Sequence, residues 1–599
     1  MRRVVQGRGV GSRNGLMGRW LGLCSGSLVL LVAACSAGGS GGPDTVLANG
    51  GTPNSSGGGS SGNNTGGSSA GEGVLPPPPE TDPTALCGES SAGLPGLRRL
   101  SRRELENTLR DVFPNLGATW ASTLSADSIS ELGFDNDEGM LLVSKQTARE
   151  VAETAEGVAG ILVGALPQVL PCAQTTPEAS CAAQLLNAQG RRLFRRPLSQ
   201  AERDTFLGFF NTAFSATADF NQSIGWLIRA LIESPEFLYR REIGTAAGGV
   251  VQLNQYEIAA ELAYTFSGSA PSEELLGRAE QNELTSKETL VGIARELLVT
   301  SGRAVVRNFF DSYVGHSRVT TIAKAEVAEF AALRPDMLEE TRRFIDEVIF
   351  ERNGGVRELF TANFTTPTGD LATFYGLTTP ASDYAVTERP AGKGVGLLAQ
   401  GAVLATLSQP NGSSPTKRGL WIHKHLLCNP VPMVPPNIPE LDLAISDEQR
   451  TTRQRYSEVH AKGGCQLCHS RWDPIGFAFE HFDEAGRWRD AEGTDLQLPV
   501  DSASYVPEQG VPFDRPPNPD AKLFEFTGQE DMITQLVEYP VVHQCFSGYL
   551  SSYAFGGPLT CAAETRRAEF IAGTIGFIDY LASHAGEPHF TERRVEAAP

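Results

Sequence analysis

From Ser36 to Gly73 the chain holds 14 glycines in 38 positions, mixed with Ser, Asn and Thr, and it then enters Pro76-Pro77-Pro78-Pro79. Such a stretch offers almost nothing apolar to bury and has much backbone entropy to lose. It predicts a disordered Gly/Ser-rich tether with a stiff polyproline end. Packing can begin only beyond it, near Cys87. The rest of a 599-residue chain allows several domains of ~100–200 residues. Apolar side chains make up 40% of the sequence, enough for real cores there.

The segment before the tether reads as an address. Residues 1–34 carry five arginines and no acid, then an apolar run ending Leu28-Val29-Leu30-Leu31-Val32-Ala33-Ala34. The charged start and short apolar run predict a signal peptide rather than a span. Val32-Ala33-Ala34-Cys35 resembles a bacterial lipobox, in which the Cys thiol takes a diacylglycerol. Ser36 follows where an Asp would favour inner-membrane retention, so the expectation is an outer-membrane lipoprotein anchored through Cys35, in the periplasm or on the cell surface. The formal charge of −20 becomes −25 without residues 1–34, since 45 basic side chains then face 70 acidic ones. This balance argues against a nucleic-acid partner.

Beyond Cys87 the periodicity is helical. Ser101-Arg-Arg-Glu104 and Ser199-Gln-Ala-Glu202 are capping boxes, and Leu105, Leu109 and Val112 share one helical face. Further helices are predicted over 141–165, 221–241, 254–266, 286–299, 334–351 and 532–555. Strand signals are sparse: Val250–Leu253, and a short hairpin within 495–512 around Pro507-Glu508-Gln509-Gly510. The fold class is mainly α. The basic pairs Arg98-Arg99, Arg102-Arg103, Arg191-Arg192 and Arg195-Arg196 read as solvated or salt-bridged helix faces, and Glu339-Glu340 as a solvated one.

The sharpest chemical signal is Cys465-Gln466-Leu467-Cys468-His469. Two thiols at this spacing can form thioethers with the two vinyl groups of one porphyrin, with the adjoining His as axial ligand. One covalent haem c is expected, with His469 on the iron. A small disulfide, half of a zinc site with Cys428 and Cys545, and a redox pair are the competing readings. Met433 and Met532 are the sixth-ligand candidates, with His460, His481 and His543 as nitrogen alternatives, and no spacing rule decides among them. Arg487, Arg489 or Arg471 are candidates to pair with the propionates, and Trp472, Phe477 and Trp488 to pack the ring.

Six cysteines remain: Cys87, Cys172, Cys181, Cys428, Cys545 and Cys561. In an exported chain they predict disulfides, with Cys172–Cys181 first and Cys545–Cys561 next, leaving Cys87 and Cys428.

Several blocks together resemble a family of multidomain bacterial proteins first described from planctomycetes, with a cytochrome-like PSCyt domain and associated PSD domains of unknown function. The blocks are Leu97–Asp111, Gly190–Leu198 with Ser234–Arg240, Leu253–Tyr264 with Leu371–Gly376, Gly396–Trp421 with Pro430–Pro439 and Cys465–Arg489, and Cys545–Gly556. The resemblance implies haem c at Cys465, Cys468 and His469, and an envelope location. The organisation read from the chain is a signal peptide (1–34), a lipid anchor and linker (35–86), helical PSD-like units (87–170, 171–245 and 246–385), a cytochrome-type haem unit (386–515) and a C-terminal helical PSD-like unit (516–599).

The leading functional expectation is an electron carrier serving a redox partner protein in the envelope. The rivals are a haem-dependent oxidoreductase acting on peroxide, oxygen or an organic substrate, and a surface structural or binding protein stapled by its haem. No Ser-His-Asp signature, phosphate loop, HExxH or calcium loop stands at credible spacing.

Overall fold

The Ser101 hydroxyl accepts from the Glu104 amide while the Glu104 carboxylate accepts from the Ser101 amide, and Ser199 with Glu202 repeats the exchange. Both predicted capping boxes thereby satisfy N–H groups that open the helices Arg102–Val112 and Gln200–Thr217. They belong to a computed structural model that describes residues 97–594 except 118, 434–448, 463, 494–495 and 557–563. The signal segment, Cys35, the tether, Cys87 and Cys561 lie outside the described residues.

The described chain is mainly α, as predicted. The expected helices stand at Lys145–Gly164, Gln255–Ser267, Lys287–Thr300 and Phe330–Asp346, the last continuing through one wider π turn, Glu347–Glu351. The helix expected over 221–241 instead ends at Ile232 (Phe220–Ile232) and is followed by the short helix Pro235–Leu238 and the strand Tyr239–Arg240. The helix expected over 532–555 is two, Gly528–Leu536 and Pro540–Phe555. Pro540 has no N–H to continue the first, and it suits the opening turn of the second. Among the described residues no helix is long and apolar enough to cross a membrane.

Strands are short. Val250–Gln252 pairs with both Thr245–Ala247 and Glu592–Arg594. The hairpin expected within 495–512 is not closed there: Ala503–Val506 pairs antiparallel with Phe524–Thr527. Pro507, Pro512, Pro516, Pro517 and Pro519 cannot donate to a ladder, so the return strand forms only beyond them.

Leu105, Leu109, Val158, Leu162, Ile224 and Leu227 share one core. A larger core gathers Leu262, Phe309, Phe310 and Phe344 with Ile422, Ile475, Phe546 and Phe577. The Cys465–Gly476 helix is thus rooted, through Ile475, in the same apolar mass as the C-terminal helices.

Three expectations are corrected. Arg98 and Arg99 are buried in a two-residue strand paired with Tyr239–Arg240, where Glu104 and Asp127 neutralise them. Glu340 is fully buried, accepting from Thr365 Oγ1 (2.6 Å) and Tyr375 Oη (3.0 Å), because it shares a helix face with the buried Met337, Thr341 and Phe344. Cys172–Cys181 is a disulfide as expected, but Cys545 is bonded to Cys428, 117 residues away, not to Cys561. The core brings the end of the Pro415–His425 helix against Pro540–Phe555, and Cys545 Sγ lies 3.3 Å from the His425 carbonyl oxygen. That pairing also removes Cys428 and Cys545 from any zinc site with Cys465 and Cys468.

Candidate functional site

The motif opens a helix. Cys465–Gly476 begins at Cys465, which puts both thiols and His469 within its first turns. Cys465 and Cys468 are free thiols, both half-buried, and burial pushes the Cys468 thiol up from its ordinary value.

This helix is set by contact with Pro415–His425. The two backbones meet where Gly419 faces Trp472 and Gly476 faces Pro415, with no room for a β-carbon at either glycine. Arg418, 1% exposed, then donates to the carbonyls of Phe479 (2.9 Å), Phe482 (2.8 Å) and Asp483 (2.8 Å) and to Ser408 Oγ (2.8 Å). One guanidinium therefore satisfies three carbonyls of the segment that follows the motif helix. Burial lowers Arg418 to about 10 even so.

One turn after His469, on the same helix face, stands Asp473. His469 Nδ1 lies 3.2 Å from each Asp473 carboxylate oxygen. His460, from the helix Thr452–His460, bonds the same carboxylate through its own Nδ1, and Thr416 Oγ1 donates to it at 2.7 Å. The two imidazole rings have centroids 3.6 Å apart, their planes tilted by 31°. Burial would raise the Asp473 carboxyl, but the hydrogen bonds from His460 and His469 outweigh it and hold the group below its ordinary value. Among the described residues nothing bonds His469 Nε2.

A cleft of about 250 Å³ adjoins the pair, lined by His460, His469, Asp473, Arg453, Phe477 and Tyr505 among others. Arg453 reaches it while pairing with Asp501 at 3.0 Å. Asp473, Arg453 and Tyr505 were not singled out from sequence. The i, i+4 step from His469 to Asp473 was a usable signal, whereas Arg453 and Tyr505 arrive by tertiary packing alone.

The other expected site residues sit elsewhere. Arg487 pairs with Asp483 (2.7 Å), and Arg489 with Glu480 (3.1 Å), so both are engaged in ion pairs outside the cleft lining. Arg471 donates to the carbonyls of Val511, Pro512 and Arg515. Met532 is fully buried in the large core, and Met433 is 94% exposed. His543 Nε2 bonds the Val537 carbonyl oxygen, and His481 stacks on Trp488. His460 is near: its ring centroid lies 3.6 Å from that of His469, and its Nδ1 is engaged by Asp473.

His460, His469 and Asp473 offer ligand atoms within 4.8 Å of one another, the one such group among the described residues. A bare metal ion among them would have to displace the hydrogen bonds both Nδ1 atoms already make to Asp473. Haem iron needs only the His469 Nε2 that these bonds leave open, together with two thiols one turn apart. The residues present fit the haem better than the ion.

These features define a mainly helical protein in which Cys465, Cys468 and His469 share the opening of one helix. Successive segments match families each described as a protein of unknown function: PSD3 (DUF1587) over 98–164, PSD5 (DUF1595) over 181–242, PSD4 (DUF1592) over 253–377 and PSCyt3 (DUF1588) over 394–492. The chain belongs to the planctomycete-type, cytochrome-like multidomain family built from these blocks. Cys465, Cys468 and His469 fall inside the PSCyt3 segment. No curated protein and no solved structure matches the chain.

Proposed function

We propose that this protein is a cell-envelope c-type cytochrome, held to the outer membrane by a lipid on Cys35, that passes single electrons to an envelope partner. The supporting observation is the convergence of Cys465, Cys468 and His469 on one helical segment, with His469 turned by Asp473 so that Nε2 stays open. Cys465 and Cys468 would hold the haem through thioethers, and His469 would supply a nitrogen to its iron. Bound there, haem supplies a one-electron iron couple. Both thiols are half-buried, so a haem held by them would stand near the protein surface, which suits transfer between proteins better than chemistry in a sealed pocket.

The test is a haem-stained denaturing gel of protein exported with the haem-attachment machinery, with a reduced-minus-oxidised spectrum. Covalent stain lost in Cys465→Ala/Cys468→Ala is the expected result. Unstained wild-type protein refutes the reading. Cys35→Ser should release the protein from membranes, and if it stays bound the lipid anchor is wrong.

A further inference from the structure

Asp473 holds three donors at once: His469 Nδ1, His460 Nδ1 and Thr416 Oγ1. It is 4% exposed. A buried carboxylate with this many partners cannot swing away to water, and it fixes the His469 tautomer, since the proton must sit on Nδ1 and the lone pair on Nε2. A carboxylate on the far nitrogen of a ligating imidazole also makes it a stronger electron donor. His460 lies against His469, ring centroids 3.6 Å apart, and shares the acceptor, so it competes for the same negative charge.

We propose that Asp473 is a positioning residue that sets the reduction potential of the site, acting through His469, with His460 moderating the effect by sharing the carboxylate. This rests on the reading of His469 as a haem ligand. The carboxylate stabilises the more positive, oxidised iron through the imidazole, so it lowers the potential. Sharing with His460 weakens the bond to His469 and raises it part of the way back.

The experiment is potentiometric titration of the holoprotein, followed by its haem absorption, in wild type, Asp473→Asn and His460→Gln. Because the group would be held by two thioethers, loss of the carboxylate leaves it attached and the potential measurable. Asp473→Asn should favour the reduced form by on the order of tenfold, which for a one-electron couple is about 59 mV upward. His460→Gln should move the potential the other way. Covalent haem with an unshifted potential in Asp473→Asn overturns this inference and leaves the proposed function standing. Absence of covalent haem from the wild type overturns the proposed function itself. If Asp473→Asn fails to fold, His460→Gln decides alone: a lowered potential supports the inference, and an unchanged or raised one overturns it.

Discussion

Gly419 stands so close to Trp472 that a β-carbon on the glycine would lie 1.8 Å from the Trp472 carbonyl oxygen. The obstacle is backbone inside a helix, which cannot turn aside as a side-chain tip can. The helix carrying both candidate haem thiols is therefore positioned by the absence of a side chain on its neighbour.

Gly419→Ala should force the two helices apart. Overpacking a closed contact costs typically ~1–3 kcal/mol, and a rigid backbone obstacle belongs at the upper end. Urea unfolding monitored by circular dichroism measures it, and covalent haem yield should fall in parallel. An unchanged midpoint would mean that the helices are not seated as described.

Cys428–Cys545 closes a loop of 117 residues across the candidate haem block. A cross-link of that length stabilises by about 2–5 kcal/mol, chiefly by restricting the unfolded chain. The double variant Cys428→Ser/Cys545→Ser should lose stability by that amount. A non-reducing peptide map should recover Cys428 joined to Cys545, and a peptide joining Cys545 to Cys561 would contradict the structure.

Arg418 should not be replaceable by Lys. Its fork serves three carbonyls and a hydroxyl. An ammonium has three donors and cannot span them in the same plane. Arg418→Lys leaves buried carbonyls unpaired, at roughly 1–3 kcal/mol each. Denaturation midpoints check the loss, and proteolysis near Phe479–Asp483 should become faster.

The protein should weaken in mild acid. His584 and His589 are 2% and 5% exposed, and burial lowers them to about 3 and about 4 from an ordinary 6.5. Between those values and 6.5 the unfolded chain binds protons that the folded one refuses. Stability from these groups is therefore complete above about pH 6.5 and is lost as pH falls, at about 1.4 kcal/mol per unit for each residue. Urea midpoints at about pH 7 and about pH 5 should differ accordingly. His589→Leu should shrink the difference, and equal losses in both proteins would remove these histidines as the cause.

What could be read in the sequence lies within a turn or two of backbone. Ser101 with Glu104 and Ser199 with Glu202 cap as their spacing requires, because three residues always bring those groups together at a helix start. Cys465, Cys468 and His469 share the opening of one helix for the same reason, and Cys172 reaches Cys181 across a short loop. The step from His469 to Asp473 is equally local, though Asp473 was not singled out, and Glu340, read as solvated, is buried beside Met337, Thr341 and Phe344.

Tertiary packing alone chose the partners that lie far apart. Cys428 rather than Cys561 meets Cys545, because the large core seats two distant helices side by side. His460 meets His469 at the shared Asp473 carboxylate, and Arg453 rather than Arg487 or Arg489 reaches the cleft. Residue types determined which chemistry the chain can hold, since thiols and imidazoles one turn apart are a property of any helix. Which carboxylate, cation or cysteine completes that chemistry depends on which helix faces bury against each other, and side-chain spacing along the chain does not encode that.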